Sequence, residues 1–154
     1  MQQLSTDLRE FIRLLTTKNV RYVIVGAWAL AFHGRPRYTG DLDVFVARDE
    51  QNADNLIQVI DAFGFAQLGI KREDFLQVDY VIQLGREPNR IDILTGISGV
   101  TFEEAWANRN QGNLSGLPAF FLSRDLLIKN KRAANRDKDL GDIKLLEKTR
   151  PTRS

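Results

Sequence analysis

Apolar and polar positions alternate along the chain with periods that switch repeatedly between helix and strand. Residues 5–18 carry Leu8, Phe11, Ile12, Leu14 and Leu15 on one helical stripe, and Ser5 or Thr6 can cap its start. Residues 20–25 are β-branched or aromatic without a polar break, the pattern of a strand covered on both faces. Gly26 ends that run, and residues 27–32 read as a short helix of small and aromatic side chains. A loop with Gly34, Pro36 and Gly40 leads to a second strand over 41–47. Residues 50–63 read as a long helix with Leu56, Ile57, Val59, Ile60 and Phe63 inward, closed by Gly64. Strands are expected over 78–84 and 90–95, joined by a turn with Gly85 and Pro88, and another within 112–121. A short helix over 101–108 opens with Thr101 and Glu104 in capping-box spacing. Helices over 123–134 and 138–147 close the chain. Mixed in this order, the elements predict an α/β (α+β) mixed sheet flanked by helices.

Length and composition narrow the chemistry. The 154 residues suit one domain, placed at 1–148, with a basic tail at 149–154 expected to fray. Cysteine is absent and His33 is the only histidine, so thiolate sites, multi-histidine zinc sites and cysteine nucleophiles are excluded. Any metal must be held mainly by oxygen, which favours magnesium, manganese or calcium. Twenty-two basic against 20 acidic side chains leave a net charge of +2, too even to argue for nucleic-acid binding. The polar first ten residues lack an apolar signal core, and no apolar run approaches the ~20 residues of a membrane helix. The reading therefore expects no membrane association, and a cysteine-free chain fits the cytoplasm.

The informative chemistry lies between Val23 and Val46. Asp41 and Asp43 stand two apart on a strand and therefore share a face, while Leu42, Val44 and Val46 take the other. Adjacent carboxylates repel, and a divalent cation is the obvious counter-charge. Asp92 lies between Ile91 and Ile93 and would face the same way if its strand lies beside that of Asp41. Three such acids could hold two metal ions ~4 Å apart for in-line phosphoryl transfer. A strand ending in Gly26 and Ala27 and opening a helix offers backbone N–H groups to phosphate oxygens. Other readings of the same residues stay open. The Asp41–Asp43 pair could be surface acids on an edge strand, or could hold manganese and a sugar nucleotide. Asp92 could be a half-buried acid paired to Arg90, and Asp79 is a rival third acid. Arg35 and Arg37 could be solvated charges or could neutralise a triphosphate. His33 reads as a structural hydrogen bonder, and Trp28 and Phe32 as core.

Gly26-Ala27, thirteen residues, then Asp41-Leu42-Asp43 resembles the signature of the DNA polymerase β-type nucleotidyltransferase superfamily. With His33-Gly34, Arg37 and Thr39, the segment is similar to small bacterial nucleotidyltransferases of the abortive-infection and toxin–antitoxin type. The distal run from Leu126 to Ala133, with Arg136, Asp139 and Asp142, resembles their closing helices. The resemblance implies transfer of a nucleoside monophosphate from a triphosphate such as ATP to a hydroxyl, with Mg2+ or Mn2+. It implies Asp41, Asp43 and Asp92 as catalytic metal ligands. It implies nucleotide or phosphate contacts from Gly26, Ala27, Arg37, Thr39 and Lys131. Asp139 and Asp142 match the last acidic motif. The acceptor could be a protein, a tRNA end or a small molecule. The family carries Gly or Ser where this chain has Ala27, which lacks a hydroxyl to bond phosphate. That departure keeps a second function in view: a weak or inactive member acting as an antitoxin or regulatory partner.

Overall fold

In the computed structural model, which describes residues 5–34 and 40–148, the central strand pair comes from the two most apolar segments. Strand β1 (Tyr22–Val25) is buried along its whole length and runs antiparallel to β2 (Leu42–Val46). Between them lies helix α2 (Gly26–Phe32), which begins on the residue after β1 ends. Strand β4 (Ile91–Leu94) adds to β2 in parallel, and β3 (Val81–Leu84) pairs with β4 as an antiparallel edge. On the other side β6 (Leu117–Phe121) lies parallel to β1 and carries β5 (Asn110–Leu114) as its hairpin partner. The six-stranded mixed sheet thus has the order β3-β4-β2-β1-β6-β5.

Each face of the sheet packs its own set of helices. Helices α1 (Thr6–Thr17) and α3 (Glu50–Ala62) bury Phe11, Leu15, Leu56 and Val59 against Tyr22, Ile24, Val44 and Ile93. The opposite core joins Val23, Val25 and Phe45 to α2, α4 (Phe102–Ala107), α5 (Arg124–Ala134) and α6 (Asp137–Lys148). Caps stop and start these helices as their side chains dictate: Ser5, Asp49, Thr101 and Ser123 each accept a hydrogen bond from a first-turn backbone N–H.

Two expectations change. The strand foreseen over 78–84 begins only at Val81, because Asp79 adopts a left-handed backbone (φ 49°) that breaks the extended run. The segment 112–121 contains the expected strand, β6, and with it most of a second, β5, so that it forms a hairpin. Ser115 and Gly116 take φ of 52° and 83°, the two positive values that a tight primed turn requires. The stretch between α3 and β3 folds as two short 3-10 turns, Ala66–Leu68 and Arg72–Leu76. The tail at 149–154 lies outside the described residues. Among the described residues no helix is long and apolar enough to cross a membrane.

A carboxylate cluster at the end of the central strands

The β1–β2 and β2–β4 registers bring the key residues together. Val25 is opposite Asp43, and Asp43 is opposite Asp92. Two carboxylates therefore occupy adjoining strands, ~4.8 Å apart in the hydrogen-bonding direction. Both lie on the α2/α4/α5 face, because Phe45 and Leu94, two residues on, pack into that core. The flanking Leu42, Val44, Ile91 and Ile93 are buried on the other face, as the alternation requires.

Gly26 forms the corner beside Asp43. Its φ is +67°, and a Cβ there would stand 2.3 Å from Asp43 Oδ2. Only glycine lets the chain turn from β1 into α2 this close to a carboxylate. Gly40 serves the approach to β2: a Cβ there would lie 1.7 Å from the Pro88 carbonyl oxygen, so the segment entering β2 presses on the β3–β4 turn.

Arg90 ties the cluster together. Its Nε and Nη2 donate to the two oxygens of Asp92 at 3.0 and 3.3 Å. Its backbone N–H donates to Asp41 Oδ1 at 3.1 Å, and its guanidinium stands 3.7 Å from Asp41 Oδ2. The Arg-x-Asp spacing that makes this possible is the same period of two that aligned Asp41 with Asp43. Arg90 was legible only as a possible partner of Asp92; that it also reaches Asp41 depends on β2 and β4 being neighbours. Among the described residues Asp43 makes no ion pair, and its carboxyl is hydrogen-bonded to that of Asp92. Burial, reinforced by the negative charges of Asp92 and Asp41, pushes its carboxyl up to about 6.

The donor chemistry fits a hard divalent cation. The acids offer oxygen donors, and a cation would relieve the repulsion that, after burial, raises the Asp43 carboxyl. Among the described residues no trio of histidine, aspartate or glutamate side chains is arranged as a ready cage. Asp41 and Asp92 are turned onto Arg90 instead, so a metal shared by all three acids requires that guanidinium to withdraw.

The other sequence candidates separate. Asp79 is no rival, since Gln83, and not Asp79, is the β3 residue opposite Asp92. Arg37 and Thr39, with Arg35, lie outside the described residues. His33 is buried after α2, and its Nε2 meets the Leu122 carbonyl oxygen at 2.7 Å. Burial holds its pKa below the usual histidine value. Trp28 is core, and Phe32 stacks on Phe121 with ring centres 4.0 Å apart.

Lys131 sits in a second, separate charge network. Its ammonium lies 3.4 Å from Asp139 and 3.3 Å from Asp142, and all three side chains are at most 7% exposed. Arg136 adds three hydrogen bonds to Asp139, one from its backbone and two from its guanidinium. A phosphate contact from Lys131 would require the ammonium to leave both carboxylates. This network spans α5 and α6, and no helical spacing rule links positions on two different helices.

No family model matches the chain, and no curated protein matches it in sequence. Solved structures do. The lincomycin-bound lincosamide antibiotic adenylyltransferase LnuA superposes with a TM-score of 0.58 at 18% identity, over 96% of this chain and 99% of that one. The antibiotic-resistance factor ANT(2'')-Ia superposes with a TM-score of 0.55 at 17% identity, over 92% and 80%. At these identities the likeness is one of fold: the chain has a nucleotidyltransferase-type fold.

Proposed function

We propose that this protein is a metal-dependent nucleotidyltransferase that moves a nucleoside monophosphate from a nucleoside triphosphate to a hydroxyl acceptor. The observation that carries the reading is the register pairing of Asp43 with Asp92 beside the Gly26 corner, within a nucleotidyltransferase-type fold. Asp43 and Asp92 would hold Mg2+ or Mn2+, with Asp41 as the third acid. When bound, the metal supplies positive charge that stabilises the triphosphate and the leaving pyrophosphate. The chain's own part is to place and shield. Gly26 and Ala27 present backbone N–H groups to phosphate oxygens without a side chain in the way. Arg37, Thr39 and Lys131 are the further phosphate contacts in this proposal. Arg90 pairs with Asp41 and Asp92 and would swing aside for the metal to reach them. The two structural neighbours, one lincomycin-bound and one an antibiotic-resistance factor, favour a small hydroxyl-bearing molecule over a protein or tRNA acceptor.

The test is labelling. Triphosphates carrying label on the α-phosphate, with Mg2+ and a panel of small polyhydroxylated acceptors, should yield labelled product and pyrophosphate. Asp43→Asn and Asp92→Asn should each lower the rate about a hundredfold or more, the scale of losing one transition-state stabiliser. Product formed equally by the double variant would reject the mechanism.

A second reading has its own support: Arg90 already neutralises two of the three acids, and Ala27 lacks the family hydroxyl. The protein would then act as an antitoxin or regulatory partner through the fold alone. A tight protein complex indifferent to loss of Asp43 and Asp92, with no transfer detected, would identify that role.

A further inference from the structure

At the other end of β1 from the carboxylate cluster, a cavity of about 320 Å³ opens between the end of α1, the start of β1, the end of α4 and β6. Thr16, Arg21, Tyr22, Trp106, Arg109 and Phe120 contribute to its wall, and no acidic residue does. Its size is at the small end of ligand pockets. The two arginines differ. Arg21 is ion-paired to Asp49. Arg109 meets no carboxylate among the described residues. Its Nη1 donates to the Trp106 carbonyl at 2.7 Å, which uses one side of the guanidinium. Its Nε is buried and has no acceptor within the protein. The guanidinium is pinned flat, 3.7 Å above the Trp106 ring and 4.7 Å from the Phe120 ring.

A fixed guanidinium with an unanswered Nε–H keeps donors of the kind that carboxylates and phosphates match with two parallel hydrogen bonds. A buried donor left without a partner gains free energy when one is supplied. Part of the remaining wall is aromatic, with Tyr22 and Phe120 at 5.7 Å between ring centres. We infer that this cavity is a second binding site, for a small molecule that joins a carboxylate or phosphate to an apolar ring. The oxyanion takes the Arg109 guanidinium and the ring lies along the half-buried Phe120. Tyr22 is three residues before Val25, the residue opposite Asp43, so the pocket lies roughly 10 Å along the strand from the cluster. The site is therefore distinct from the proposed triphosphate site and does not depend on it.

Calorimetric titration of the full chain with benzoate, phenyl phosphate, acetate and inorganic phosphate tests this. Saturable binding of benzoate or phenyl phosphate, tighter than that of the ringless anion of the same charge type, is expected. Which of the two ring-bearing probes binds tighter separates a carboxylate from a phosphate ligand. Arg109→Gln should weaken that binding about tenfold or more, and Arg109→Lys, which keeps charge but lacks the paired donors, should also weaken it. Asp43→Asn should bind as wild type does. The inference is overturned if neither ring-bearing anion binds saturably up to about 10 mM. It is equally overturned if acetate and phosphate bind as tightly as their ring-bearing counterparts. Undiminished binding by a folded Arg109→Gln or Arg109→Lys protein also overturns it.

Discussion

Asp43 is a buried carboxylate that folding places beside two others, and its behaviour can be forecast from that alone. Its folded pKa of about 6 lies above the ordinary 3.8, so the folded state binds the extra proton. The stability this group contributes is full below pH 3.8 and is lost as pH rises through about 6. Asp43→Asn should therefore melt higher than wild type at pH 8, by at most about 3 kcal/mol, with the gap closing by pH 4. Thermal melts of the two proteins at both pH values check the sign; a variant less stable at pH 8 would contradict it. Arg90 acts in the opposite sense, because its positive charge lowers the Asp43 pKa. In Arg90→Gln the Asp43 carboxyl should titrate above 6, which carbon-detected NMR of the carboxyl would show. Gly26→Ala should destabilise by about 1–3 kcal/mol through its left-handed backbone and drive the new methyl into Asp43 Oδ2.

At the scale of elements, α5 and α6 are joined by a charge network as well as by Leu127, Ile128, Ile143 and Leu146. Lys131 compensates two buried aspartates at once. Lys131→Met should cost about 3–5 kcal/mol by leaving them uncompensated, read as a lowered urea midpoint. Hydrogen bonds from Arg136 hold Asp139 down to about 2, below its ordinary 3.8. That contribution is present above pH 3.8 and is lost as pH falls through about 2, so acid unfolding of wild type should be steepest in that interval. Asp139→Asn should flatten it. The β5–β6 hairpin shows how an element can escape notice: Gln111, Asn113, Pro118 and a serine-glycine turn give little apolar alternation, and partner strands supply what the local pattern lacks.

For the whole molecule, the proposed cation binding would be linked to folding. A divalent metal that binds only the assembled cluster stabilises the folded protein by mass action, about 2.7 kcal/mol at a hundred times its dissociation constant. Manganese or magnesium should raise the melting temperature of wild type at pH 7.5, and chelator should reverse it. Asp43→Asn with Asp92→Asn should show no such rise. The metal effect should weaken below about pH 6, where a proton competes for Asp43. Equal stabilisation of the double variant would place the metal elsewhere.

Local pattern determined most of the elements, the mixed sheet and the acid positions, because helix and strand periods are properties of neighbouring residues. Asp41, Asp43, Asp92 and Gly26 were visible for that reason: a spacing of two and a strand-ending glycine are written in consecutive letters. Tertiary structure alone decided that Asp92 stands opposite Asp43, that Arg90 bridges Asp41 to Asp92, and that Lys131 lies between Asp139 and Asp142. It alone assembled the Arg109 cavity from four separate elements. Those arrangements depend on which strands and helices become neighbours. That choice follows from burying two faces of one sheet, a property of the whole chain that no short segment carries.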